Sequence, residues 1–141
     1  MAIVAAVDGD TQSDRVVTVG HELAETFGEE LVVLHVMSHG EFDRRREERE
    51  YYVDQASDDA SKTARWVVNG TLEDDEGVVF RGRVGEPVDE ILTEAEGQDA
   101  RYLVVGGRKR TPVGKAVFGS ITQSIMLNAE IPVVTVLDTA E

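Results

Sequence analysis

The chain has 141 residues, 41% hydrophobic and 30% charged, a folded-domain composition that excludes a disordered chain. It lacks cysteine, which removes disulfides, thiol nucleophiles and thiolate metal sites, and its net charge of −14 disfavours nucleic-acid and anionic-membrane partners. The opening MAIVAAVDGD has no basic region, and no apolar run approaches the roughly 18 residues of a membrane helix, so a cytoplasmic protein is expected.

Residues 2–7 form the first of five short Val- and Ile-rich runs, followed by 31–37, 78–80, 102–105 and 133–137. Most are continuous rather than alternating, the pattern of strands covered on both faces of a parallel sheet. After the first run, Val16, Gly20, Leu23 and Phe27 share one face of a helix over 13–28. The charge run 41–50 (EFDRRREERE) reads as a solvated loop or helix start. Val53, Ala56, Ala60, Ala64 and Val67 stripe a helix over 48–69, with Gly70 as its C-cap and Asn69-Gly70 as a turn. Pro87 opens a third helix, striped by Val88, Ile91, Leu92 and Ala95. Ile121 and Ile125 begin the last, with Ser120 and Gln123 as a capping box and Pro132 as its stop. Five strands and four helices predict an α/β fold: one domain over 1–141, a doubly wound five-stranded parallel sheet with helices on both faces.

Ligands of such sheets bind beyond the carboxyl ends of the strands, at a switch point. The ends here are Asp8-Gly9, Met37-Ser38, the vicinity of Gly82, Gly106-Gly107 and Asp138. The fourth carries the most chemistry. Arg108, Lys109, Arg110 and Lys115 place four of the 14 basic residues within eight positions, between Gly106-Gly107 and Gly119-Ser120. A cationic Gly-rich loop leading into a helix N-terminus is a phosphate cradle in the making. Ala116 after Gly114-Lys115 excludes a Walker A loop, and no Gly-x-Gly-x-x-Gly follows the first strand. His35 and His39 sit at a strand end without helical ligand geometry, so His35 is expected to be structural. No Ser-His-Asp set or carboxylate pair falls in one place, and no catalytic or metal residue is assigned.

The 106–120 segment resembles the nucleotide motif of the universal stress protein family: Gly, two residues, Gly, nine residues, then Gly-Ser or Gly-Thr. Gly106 and Gly119-Ser120 match it, and Lys109 stands where the second glycine falls. Val4-Ala5-Ala6-Val7-Asp8-Gly9 resembles the family's first strand, whose Asp lies near adenine and ribose. Leu34-His35-Val36 resembles the end of the second, where the valine backbone reads the adenine edge. Val84-Gly85-Glu86-Pro87 and Asn128-Ala129-Glu130-Ile131-Pro132-Val133 resemble the third unit and the approach to the last strand.

This resemblance implies an adenine-nucleotide alpha-hydrolase-like sheet of order 3-2-1-4-5, its switch point between the first and fourth strands. It implies a site for ATP, with or without Mg²⁺, made of Asp8, Gly9, Val36, Gly106, Gly107, Arg108, Lys109, Gly119, Ser120 and Ile121. It also implies a homodimer through the edge strand 133–137, from Val133 to Leu137. Three functions stand open. One is an adenine-nucleotide-binding stress-response module. The second, favoured by Lys109, is a dimeric stress protein that retains no nucleotide and works through partner contacts. The third is slow ATP hydrolysis with a bound metal as Lewis acid. The acid-rich surface, with Lys62, Lys109 and Lys115 its only lysines, looks like that of a haloarchaeal protein.

Overall fold

A computed structural model of the chain describes residues 1–107 and 118–137. The elements, in order, are β1 (Ala2–Ala6), α1 (Arg15–Phe27), β2 (Glu30–Met37), α2 (His39–Glu48), α3 (Val53–Thr71), β3 (Val78–Val84), α4 (Pro87–Gly97), β4 (Ala100–Gly106), α5 (Ser120–Asn128) and β5 (Val133–Val136). The strands form one sheet of order β3-β2-β1-β4-β5, with every pair parallel. That is the doubly wound order implied by the family resemblance.

Alternation along each strand sends successive side chains to opposite faces. Ile3, Ala5, Leu31, Val33 and Val104 pack under Val16 and Val17 of α1 and Ala64, Val67 and Val68 of α3. Val4, Val32, Leu34, Leu103 and Val105 pack under Ile91 and Ala95 of α4 and Ile125 of α5. Both faces are roofed, which is why β1 and the middle of β2 and of β4 read as continuous apolar runs. Each fully buried Val, Leu or Ile contributes about 2 kcal/mol through its removal from water.

Four local expectations are corrected or sharpened. The charge run 41–50, expected as a solvated loop or helix start, lies mostly within α2, a fifth helix. Ser38 caps it, its Oγ accepting from Glu41 N at 3.2 Å, and the run's charges suit the helix dipole, with Glu41 in the first turn and Arg45 and Arg46 in the last. Only Phe42 of α2 is buried, so apolar periodicity had nothing to detect. Helix α3 begins at Val53, not 48, and runs through Asn69-Gly70 to a C-cap at Leu72, so Gly70 is neither cap nor turn. Strand β3 extends past the apolar run 78–80, through Arg81, Gly82 and Arg83, to end at Val84, two residues beyond Gly82. Finally, Gly119 is the N-cap of α5, so Ser120 is the first helical residue and the Ser120/Gln123 capping box is absent.

The two arginines of β3 lie against a carboxylate that is 2% exposed, Glu94 of α4. Arg83 Nε donates to it at 2.7 Å, Gln98 Nε2 at 2.7 Å, and Arg81 Nε lies 3.3 Å away. Burial alone would raise the Glu94 pKa. The hydrogen bonds from Gln98 and Arg83 and the charges of Arg81 and Arg83 outweigh it and hold the carboxyl below its ordinary value.

Candidate functional site

Strands β1 and β4 are neighbours, yet the helices that follow them leave to opposite faces: α1 packs with one core layer, α5 with the other. The connections diverge beyond the strand ends and leave a crevice. A cleft of about 600 Å³ occupies it. Its deep part is apolar, with Leu34, Ile91 and Ile125. Its mouth is polar, formed by the loop after β1, the ends of β2 and β4, and the first turns of α1 and α5.

The β1 wall is built by backbone pairing followed by a turn. Val7 N donates to Leu34 O at 2.9 Å, continuing the β1–β2 ladder past β1. His35 Nδ1 lies 3.0 Å from Val7 O; a carbonyl only accepts, so Nδ1 carries the proton. His35 is thus structural, as expected, although its ring also lines the cleft. Asp8 Oδ1 accepts from Asp10 N at 3.0 Å, an Asx turn that leads the chain away from the sheet. Gly9 takes φ +77°, a left-handed angle available to glycine at little cost. The loop ends at Asp14, whose Oδ1 caps α1 by accepting from Val16 N at 2.9 Å.

The β4 wall is tied differently. Gly107 N donates to Val136 O at 2.8 Å, and Thr122 Oγ1 of α5 donates to Gly106 O at 2.6 Å. The first bond ties the end of β4 to β5, and the second holds the first turn of α5 against the end of β4. Gly119 caps that turn in extended geometry (φ −70°, ψ 164°) with no side-chain cap bond. Nearby, Arg15 Nη1 donates to Leu137 O at 2.8 Å, linking the start of α1 to the end of β5.

Asp8, Val36, Gly106, Gly107, Gly119 and Ile121, six of the residues that the family resemblance implies, line one cavity. Gly9 lies behind Asp8, packed on Thr63 and His35, and Ser120 is an exposed first residue of α5. Arg108, Lys109, Arg110, Gly114, Lys115 and Asp138 lie outside the described residues. Sequence reasoning missed Asp10, Ser13, Asp14, Arg15 and Thr122, all of which line the cleft. Asp14 was findable, since an Asp just before an apolar-periodic run is an N-cap signal. Thr122 carried no signal of its own. Among the described residues no group of three or more His, Asp or Glu is arranged to hold a metal. An apolar interior, a polar mouth and a helix start with no side-chain cap bond among the described residues suit a ligand with a flat apolar end and an anionic end.

This topology and crevice define a doubly wound α/β protein with its cleft at the switch point. The universal stress protein family model matches residues 1–136, and the chain belongs to that family. A universal stress protein of Mycolicibacterium smegmatis (strain ATCC 700084 / mc(2)155) is 35% identical over 130 residues, spanning 85% of this chain and 95% of the relative. Among solved structures, a universal stress protein from Archaeoglobus fulgidus superposes with a TM-score of 0.62 at 30% identity, over 96% of this chain and 97% of that one. A structure of the universal stress protein from Archaeoglobus fulgidus in complex with dAMP gives a TM-score of 0.58 at 25% identity, over 96% of each chain.

Proposed function

We propose that the protein is a nucleotide-binding stress-response module, one cytoplasmic domain over 1–141, that holds an adenine nucleotide in the β1/β4 cleft. ATP, with or without Mg²⁺, is the proposed ligand. One observation carries the reading: six of the residues expected from the nucleotide motif and its neighbouring strands line a single cleft of about 600 Å³. The dAMP complex of the Archaeoglobus fulgidus relative adds support. In this reading adenine occupies the apolar end beside the Val36 backbone, with Asp8 near the ribose. The phosphates meet Gly106, Gly107, Gly119 and Ser120, with charge from Arg108 and Lys109. Any hydrolysis is at most slow, since no general base is assigned.

Strand β5 is a sheet edge, and an apolar edge pairs readily with a second copy. A homodimer through that edge is proposed and is read by light scattering. The acidic, lysine-poor surface is proposed to be adapted to salt: the melting temperature should climb as KCl rises from low to molar concentration and screens the repulsion. A flat or falling trend removes that proposal.

Lys109 favours a second reading, a dimer that retains no nucleotide and works through partner contacts. Calorimetry with ATP and Mg²⁺ at high KCl separates the two. Saturable heat at micromolar to millimolar nucleotide is expected. No heat at millimolar nucleotide, with no nucleotide found by mass spectrometry of the purified protein, leaves the second reading standing.

A further inference from the structure

Helix α3 lies outside the motif, yet its last turn holds the loop that forms the Asp8 wall. Thr71 Oγ1 donates to Val67 O at 2.7 Å within the helix and accepts from Asp14 N at 3.0 Å. The hydroxyl thus spends its proton on its own helix and its lone pair on the loop. Next to it, a methyl on Gly70 would overlap Gln12 Cγ and the Gln12 carbonyl oxygen, a backbone atom that cannot swing aside as a side chain does. Two turns earlier, Thr63 Cγ2 would meet any Cβ on Gly9 at 2.6 Å. Thr63, Gly70 and Thr71 are spaced to share one face of the helix, along about 12 Å of its length. The loop laid on that face supplies Asp8, Asp10, Thr11, Ser13 and Asp14 to the cleft. A glycine near the end of a 19-residue helix weakens it relative to alanine, and the close approach of Gln12 is the physical reason it stands there.

We propose that Gly70 and Thr71 are positioning residues that set the β1–α1 loop, and through it the Asp8 wall of the cleft. The effect on ligand rests on the nucleotide reading above; the effect on the loop does not.

The test uses the full chain as wild type, Gly70→Ala, Thr71→Val and Thr71→Ser. Amide hydrogen exchange over residues 9–14 is measured without nucleotide, and ATP affinity by calorimetry. Thr71→Val keeps the side-chain shape and removes the acceptor, so the Asp14 amide should exchange faster and affinity should fall about tenfold. Thr71→Ser restores the acceptor and should restore both. Gly70→Ala should speed loop exchange and weaken binding, whereas an ordinary helical Gly→Ala change would only raise the melting temperature. Wild-type exchange rates and affinity in both Gly70→Ala and Thr71→Val would overturn the proposal. If wild type itself binds no ATP, the nucleotide reading fails alone, and loop exchange still decides whether α3 sets the loop.

Discussion

The protein treats polar groups in two opposite ways in two regions of its fold. At the β3–α4 flank, Glu94 is 2% exposed and faces Arg81, Arg83 and Gln98, a network closed on itself. At the β1/β4 crevice the polar groups surround about 600 Å³ of open space. The two helix starts there differ in the same sense. Asp14 caps α1 with its own carboxylate, while α5 begins at Gly119 with no side-chain cap bond. A satisfied buried charge stabilises the fold and offers a ligand nothing. An amide group left without a side-chain cap costs little at the mouth of a cleft, because water can serve it there. Stability and binding are therefore expected to separate by region.

The largest expected effect falls on the open region. Gly119→Val places branched carbons at the start of α5. The extended φ of −70° tolerates a side chain, so the fold should persist. ATP affinity should drop roughly a hundredfold, about 2.7 kcal/mol, measured by calorimetry. Full affinity in that variant would mean the α5 start is not part of the binding surface.

Arg83→Met attacks the closed region by removing the donor 2.7 Å from Glu94. Stability should fall by about 2 kcal/mol in urea unfolding, with ATP affinity of the folded protein unchanged. Equal losses of stability and affinity would break the separation. Asp14→Ala lies between the two regions in kind. It should lower stability by about 1 kcal/mol through the lost cap, and a shift in midpoint with constant slope would show it.

The smallest effect concerns acid. Because the folded Glu94 pKa lies below its ordinary value, the group stabilises the fold above the unfolded pKa, about 4.3. That contribution is lost as pH falls through the folded value. Glu94→Gln should therefore flatten the acid limb of a stability–pH curve below about pH 4.3, modestly, since Glu94 is one of 28 acidic residues. An acid limb identical to wild type would show that the carboxylate is not held by its partners.

The fold was legible wherever burial writes a local pattern. Ala2–Ala6 and the 102–105 stretch of β4 belong to central strands roofed on both faces, and continuous apolar sequence follows directly from that. It was illegible where charge does the work. Helix α2 buries only Phe42, and the Arg81–Arg83 end of β3 is held by Glu94, which is 11 residues from Arg83 along the chain. The site divides in the same way. Gly106, Gly119 and Asp8 were readable because a turn, a helix start and a strand end each need particular residues in sequence order. Thr122, Arg15 and the Gly70–Gln12 approach were not, because each depends on a partner brought close by packing. By itself the sequence determined the types of the apolar elements, the family likeness and the positions of most strand ends, since these rest on neighbours within a few residues. Only the tertiary structure decided which surface holds the β1–α1 loop, since the Asp14–Thr71 bond that ties it down joins residues 57 apart.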